Sequence, residues 1–128
     1  MMKNTFQLLS AEHASADAPG TLALANDVDP READLTGVTT VLLNFPSFSD
    51  GRAFSQAFLL RRRLGFAGDI CATGDVLVDQ LQQMQRTGFN QAVLRADQDR
   101  AVGERQLARY PSFYQGDAIE TAPRFATA

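Results

Sequence analysis

The sequence has little of several residue types, and each shortage excludes a class of protein. It has one cysteine, Cys71, so an internal disulfide is impossible, and a lone thiol suits a reducing compartment. It has one histidine, His13, and a single histidine with no useful cysteine makes a poor set of metal ligands. We therefore expect neither a disulfide framework nor a bound metal.

Long apolar runs are also missing. None approaches the ~20 residues that a membrane span needs, and the stretch 1–6 lacks the apolar core of a secretory signal. The net charge is −3, whereas domains that bind nucleic acid usually carry a basic face. These absences predict a cytoplasmic protein that has neither a membrane nor a nucleic acid as its partner.

Recognisable cofactor motifs are absent as well. The sequence contains no glycine-rich dinucleotide fingerprint, phosphate-binding loop, zinc pair or nucleophile elbow. Flavin, haem and iron–sulfur groups carry the difficult electron chemistry of proteins, and none has an identifiable site here. The sequence thus identifies no cofactor, and it leaves open whether the chain is an enzyme.

What is present is a globular composition in which predicted strands and helices alternate. The length of 128 residues fits one domain, with 45% apolar and 21% charged residues. Apolar runs between turn residues predict four strands, at 21–25, 38–43, 69–73 and 90–94. Helix-capping residues, together with apolar residues at helical spacing, predict four helices, at 29–35, 50–65, 74–88 and 98–110. This alternation predicts parallel strands joined by right-handed crossovers.

A short motif recurs where two of these helices end. Arg-Leu-Gly-Phe at 63–66 and Arg-Thr-Gly-Phe at 86–89 are 86 − 63 = 23 residues apart. Each glycine is placed for a left-handed cap, with the aromatic ring folding back on the last turn. The repeat predicts an α/β fold with a small parallel sheet of about four strands, either an open sheet or a fragment of a barrel wall. Both leave apolar surface exposed, so we expect a homodimer.

The chain divides into three parts by pattern. Residues 1–20 form a weakly patterned N-terminal segment with a candidate edge strand at 5–9, and residues 21–115 form the α/β domain. Residues 116–128 have no usable periodicity and are expected to be a flexible tail. Tyr110 and the aromatic residues just after it are candidates for packing or for contact with a partner.

Ligands of parallel α/β sheets bind at the carboxyl ends of the strands, which selects the candidate site. Polar residues follow each predicted strand at that edge. The candidate ligand-binding residues are Asn44, Ser49, Asp50, Gly51, Arg52, Thr73, Gly74, Asp75, Asp79 and Arg95.

Each candidate has a functional and a structural interpretation. The amides at 51–52 and the Arg52 cation could hold a phosphate, sulfate or carboxylate. In the structural interpretation, Asp50 caps the helix, Arg52 forms an ion pair, and Phe45 and Phe48 fill the core. Asp75 and Asp79 could place two carboxylates on one helix face for a cation or for acid–base work, or could form a solvated face. The arginines at 61–63 could receive an acidic partner or complement the helix dipole.

Three segments carry a resemblance to a known family. Phe-Pro-Ser-Phe-Ser-Asp-Gly-Arg at 45–52, Ala-Thr-Gly-Asp-Val-Leu at 72–77 and Arg-Thr-Gly-Phe at 86–89 resemble the bacterial family catalogued as domain of unknown function 934. The likeness spans about residues 20–115. The family pattern falls on Phe45, Pro46, Phe48, Asp50, Gly51, Arg52, Gly74, Asp75, Asp79, Gln80, Arg86, Gly88 and Phe89.

The resemblance implies a role in sulfite reduction, since family members are described as candidate oxidoreductases associated with it in reductive sulfur assimilation. The partners it implies are a sulfite reductase or its electron donor. The chain departs from the family pattern at Cys71, where the family has arginine, and at Thr87, where it has cysteine. A thiol mechanism at position 87 is thereby excluded. The alternatives are a small-anion-binding enzyme and a homodimeric interaction module without redox chemistry.

Overall fold

The computed structural model describes residues 6–10, 12, 14–15 and 17–109. Several predictions concern residues outside this part of the chain. These are His13, the end of the predicted domain after residue 109, the aromatic residues from Tyr110 onward, and the expected flexible tail.

The centre of the fold is an open sheet of five parallel strands, in the order β1-β5-β4-β3-β2. The strands are β1 (Gln7–Leu8), β2 (Thr21–Leu24), β3 (Thr40–Phe45), β4 (Asp69–Gly74) and β5 (Gln91–Ala92). The predicted α/β fold is confirmed in its open-sheet form. The N-terminal segment supplies the fifth strand, which lies at the edge of the sheet beside β5.

Three α-helices connect or follow the strands. They are α1 (Arg52–Phe58), α2 (Leu81–Thr87) and α3 (Arg100–Arg109), and α1 continues as a π-helical turn over Leu59–Arg63. Single 3₁₀ turns occupy Pro30–Glu32 and Val78–Gln80. The predicted helix over 29–35 is therefore wrong in length: after Asp29 caps its first turn, Ala33 is already extended.

Successive side chains along each strand point to opposite faces of the sheet. One face is therefore apolar, and the other carries both polar and apolar side chains. Leu8, Ala92, Ala72, Leu43 and Leu24 form one row of paired residues, all buried in the core beneath the helices. The next row, on the opposite face, is Gln7, Gln91, Cys71, Leu42 and Ala23. The segment after β1 lies over this second face, because Leu9, Ala14 and Ser15 enclose a small cavity together with Leu42 and Cys71.

Both repeated helix endings place glycine in the left-handed region, but the predicted Schellman cap forms only at the second, since the Phe66 N–H donates to the Leu60 carbonyl six residues back. Gly88 has φ +121° and Gly65 has φ +66°. The Phe89 N–H donates to the Met84 carbonyl and the Gly88 N–H to the Gln85 carbonyl, which is the Schellman arrangement. The Phe89 side chain folds back and is fully buried.

The arginine run at 61–63 is divided between the interior and the surface. Arg61 is buried at 7% exposure, whereas Arg62 and Arg63 are exposed. The run is therefore not a continuous surface patch. Among the described helices, none is long and apolar enough to cross a membrane.

Candidate functional site

Two polar turns lie side by side at the carboxyl edge of the sheet. Asn44 pairs with Thr73 and Phe45 with Gly74 at the ends of β3 and β4. Because the strands are parallel and in register, the turns that follow them must leave the sheet at the same edge. The adjacency expected from the sequence is therefore present.

The first of these turns is held by side chains that follow β4. The Asp75 Oδ2 atom accepts a hydrogen bond from the Phe48 N–H at 2.8 Å, and the Gln80 Nε2 atom donates to the Phe48 carbonyl at 2.7 Å. Both backbone groups of Phe48 are thus fixed, while its side chain is among the most exposed large apolar groups described, at 50%. The expectation that Phe48 fills the core is wrong, although Phe45 does so at 0% exposure.

Arg95 extends this network to the end of β5. Its Nη1 atom lies 2.7 Å from Asp75 Oδ1, and its Nε and Nη2 atoms lie 2.6 and 2.8 Å from the two oxygens of Asp97. A continuous chain of hydrogen bonds therefore runs from Phe48 through Asp75 and Arg95 to Asp97. It connects the turns that follow three neighbouring strands.

A second, smaller network joins the ends of β2 and β3. Asp50 accepts hydrogen bonds from the Arg52 backbone N–H at 3.1 Å and from Arg52 Nη2 at 2.9 Å. Asn26 Nδ2 donates to the Asp50 Oδ2 atom at 2.8 Å, the same oxygen that accepts from Arg52 Nη2. Asp50 is thus the ion-pair partner of Arg52 that the structural interpretation predicts, but the N-cap position of α1 belongs to Gly51, and Asp50 binds the first N–H of the helix from the residue before it.

Three of these turns use the same arrangement, an aspartate and an arginine two residues apart. The pairs are Asp29–Arg31, Asp50–Arg52 and Asp97–Arg95. Hydrogen bonds from the arginine lower the pKa of each of these aspartates to about 2, and those from Arg95 and the Phe48 N–H lower that of Asp75. At neutral pH all four carboxylates are ionised hydrogen-bond acceptors and none has a proton to donate.

Asp79 does not join Asp75, so the predicted pair of carboxylates on one helix face is wrong. Leu77 has extended backbone angles, and the 3₁₀ turn begins only at Val78. The Asp75 carboxylate is bound to Phe48 and Arg95, which keeps residue 75 out of the helix, and Asp79 is exposed. The helix predicted from Gly74 therefore starts four residues later than expected.

The remaining candidates lie at the same edge and outside the two networks. Thr73 Oγ1 donates to the Leu43 carbonyl at 3.4 Å, and the Ser49 hydroxyl lies 3.0 Å from that of Ser47. Asn44 is exposed, and Gly51 begins α1 without a side-chain cap of its own. At Gly74, φ is +92° and an added Cβ would collide with the Phe45 carbonyl, so only glycine fits there.

Cys71 is sealed inside the sheet, as predicted for a small apolar residue. It is 0% exposed, and burial raises the pKa of its thiol to about 12, with the Asp69 charge adding to the effect. A thiol in this setting is not a nucleophile at neutral pH.

Sequence reasoning missed a crevice at the same edge. It measures about 490 Å³ and lies between residues 8–10, at the end of β1 and just beyond it, and residues after β5 in the range 93–100. Of the ten candidates, only Gly74 and Arg95 line it. The two-residue strand β1 gives too weak a pattern to reveal that it pairs with β5. Within the described part, no three His, Cys, Asp or Glu side chains come together in a way that could hold a metal ion.

Comparison with known proteins gives one match. The model of the family DUF934, described as bacterial protein of unknown function, matches residues 21–125. The match begins at the first residue of β2 and includes both hydrogen-bond networks. No curated protein and no solved structure matches the chain.

Proposed function

We propose that this chain, which belongs to the DUF934 family of bacterial proteins of unknown function, is an accessory protein of sulfite reduction. In this proposal it docks on a sulfite reductase or on the reductase's electron donor. The link to sulfite reduction comes from the family resemblance of the segments at 45–52, 72–77 and 86–89. The contacts at the carboxyl edge of the sheet support a mode of action by binding to a partner protein, rather than by catalysis.

The observation that supports docking is the presentation of Phe48. Its N–H and its carbonyl are both fixed by side chains, from Asp75 and Gln80, while the residue is 50% exposed to solvent. An exposed aromatic ring on a backbone held in place loses little conformational freedom on binding. Such rings are frequent anchors at the centre of protein interfaces.

The chemistry of the neighbouring groups favours binding over catalysis. The carboxylates of Asp50, Asp75 and Asp97 are ionised and each is paired with an arginine. The one cysteine has a raised pKa and no exposed surface. A small-anion site centred on Arg52 finds less support, since that guanidinium already binds Asp50 through its Nε and Nη2 atoms.

The test compares two exposed phenylalanines. Phe48→Ala should weaken binding to the purified sulfite reductase of the same bacterium by about 30-fold, because a hot-spot residue contributes about 2 kcal/mol or more. Phe58, which is 41% exposed on α1, provides the matched control, and Phe58→Ala should change the affinity less than about threefold. Affinities are measured by titration calorimetry, with the separate electron donor as a second titrant.

Growth experiments test the link to sulfur metabolism independently. A deletion strain should grow poorly with sulfate as its sulfur source and normally with cysteine, and Phe48→Ala should fail to restore growth. Normal growth of the deletion strain on sulfate contradicts the role in sulfite reduction. Equal weakening by the two alanine variants contradicts the assignment of Phe48 as the anchor.

The homodimer expected from the sequence belongs to the same proposal. Leu64 is exposed directly after the π-helical turn that ends α1, at 39%. A second copy of the chain would cover this apolar side chain. Sedimentation equilibrium over a range of protein concentrations measures the oligomeric state, and a mass of one chain throughout contradicts dimerisation.

A further inference from the structure

The segments that follow the neighbouring strands β1 and β5 pack on opposite faces of the sheet. After β1, Leu9, Ala14 and Ser15 lie against the face that carries Cys71. After β5, helix α3 packs on the other face, where Gly103 lies close to side chains of Leu8 and Leu81. In open α/β sheets, the point where successive connections part to opposite faces leaves a crevice at the carboxyl ends, and ligands bind there.

A crevice of about 490 Å³ lies at this point in the structure. Its volume falls in the range of about 300–1,000 Å³ typical of small-molecule sites. Its walls are mainly apolar, with leucines 8 and 9 on one side and Val93 and Leu94 on the other. Apolar walls with a few polar groups at the mouth are the usual composition of a site for an organic ligand.

The two charged side chains that line the crevice, Arg95 and Arg100, differ in how firmly they are engaged. Arg95 is bound by the carboxylates of both Asp75 and Asp97. Arg100 makes one hydrogen bond to the Leu8 carbonyl at 2.7 Å and one to Glu104 at 3.2 Å. The pair with Glu104 is exposed on both sides, at 60% and 58%, and pairs of this kind are weak.

Arg100 therefore has donors to offer at the mouth of the crevice. A guanidinium has five N–H groups, and the hydrogen bonds within the described residues use two of those of Arg100. The bond to the Leu8 carbonyl ties the side chain across the crevice from α3 to β1. Guanidinium groups bind carboxylates and related oxyanions through pairs of N–H donors.

We propose that this crevice binds a small organic anion, with an apolar body against the leucine and valine walls and a carboxylate or similar oxyanion head on Arg100. The site is separate from Phe48 and does not depend on the role in sulfite reduction. Arg95 remains in its network and shapes one wall.

The test uses three probes of one shape: phenylbutyrate, phenylbutanol and phenylbutylamine, titrated into the isotopically labelled full chain in Tris buffer. Phenylbutyrate should shift the amide signals of residues 8–10 and 93–100 and should bind about tenfold more tightly than the alcohol. Tenfold corresponds to about 1.4 kcal/mol, close to the lower end of what a hydrogen bond to a charged group contributes. Binding of the alcohol or amine as tight as that of the acid overturns the proposal, as do amide shifts confined to other residues.

Variants on α3 separate the head-group contact from general charge. Arg100→Gln should weaken phenylbutyrate binding about tenfold and leave the alcohol unchanged, since only the carboxylate head forms a charge-assisted hydrogen bond with the guanidinium. Glu104→Gln removes the competing carboxylate and should strengthen phenylbutyrate binding. Arg105 is exposed on the same helix outside the crevice lining, so Arg105→Gln serves as the control with the same charge change. Equal weakening by Arg100→Gln and Arg105→Gln overturns the assignment.

A further variant tests the cavity itself without changing charge. Ala96 is exposed and lines the crevice, so Ala96→Trp can place an indole there without disturbing the core. It should abolish binding of phenylbutyrate while leaving the thermal midpoint close to that of the unchanged chain. Undiminished binding to a folded Ala96→Trp variant overturns the proposal.

Discussion

At the scale of single residues, Arg61 has the most unusual environment. It is 7% exposed, and its guanidinium donates to the carbonyls of Gly88, Phe66 and Gly68 at 2.9, 2.9 and 2.6 Å. Burial lowers the pKa of Arg61 to about 10, against the opposing effect of Asp69, so it stays charged at neutral pH. One side chain thus supplies hydrogen bonds to the loops that follow two successive helices.

Arg61→Met should destabilise the fold by roughly 3 kcal/mol or more, because it leaves buried carbonyl groups without a donor, each costing about 1–3 kcal/mol. Arg63 is exposed in the same run, and Arg63→Met should change the free energy of unfolding by less than about 0.5 kcal/mol. Chemical denaturation of the two variants measures the difference. Similar small losses in both would show that Arg61 does not support these loops.

At the scale of elements, the end of α1 shows why Arg61 points inward. The Leu64 N–H donates to the Leu59 carbonyl five residues back, which widens the last turn into a π-helix. Periodicity predicts where this helix lies and that Gly65 ends it, but a π-turn has no sequence signature of its own. The three consecutive arginines therefore suggested a surface patch, whereas the changed turn directs the first of them into the interior.

The two glycine caps predict different sensitivities to a side chain. At Gly88 a new Cβ would lie 2.6 Å from Arg61 Cγ, whereas at Gly65 nothing described lies within 4 Å. Gly65→Ala should lower the free energy of unfolding by about 1 kcal/mol, because a residue with a Cβ is strained in a left-handed backbone conformation. Gly88→Ala should cost at least about 1 kcal/mol more, since φ +121° lies outside the left-handed region open to alanine and the new Cβ also displaces Arg61. Thermal unfolding of both variants provides the measurement, and equal losses would contradict the collision.

At the scale of the whole molecule, the carboxyl edge concentrates charge that the composition does not reveal. Ion pairs follow β2, β3 and β5, and the net charge of −3 conceals this arrangement. Exposed pairs such as these contribute little individually. Together they make the stability of the fold depend on pH.

The sign of that dependence follows from the lowered pKa values of Asp29, Asp50 and Asp97, each about 2. A carboxylate whose pKa is lower in the folded state stabilises the fold above its ordinary pKa of about 3.9, and this stabilisation is lost as pH falls toward 2. Replacing all three by asparagine should therefore flatten the fall in the unfolding midpoint between pH 5 and pH 2.

Calorimetric scans across that pH range measure the slope. Asp17 and Asp79 are exposed and outside these pairs, so their replacement by asparagine should leave the slope nearly unchanged. Parallel curves for the triple variant and the unchanged chain would contradict the contribution of the pairs to acid stability.

The sequence by itself determined the parallel α/β fold, since apolar strand runs, helix stripes and glycine caps are all local patterns. It also placed polar residues at the carboxyl edge, because the direction of a strand follows from its crossover connections. Only the tertiary structure decided which side chains meet: that Asp75 binds Phe48 and Arg95 instead of facing Asp79, and that β1 pairs with β5 to form a crevice. These contacts join residues far apart in the chain, and their geometry depends on strand order and on the competition of neighbours for each hydrogen bond, which no local pattern encodes.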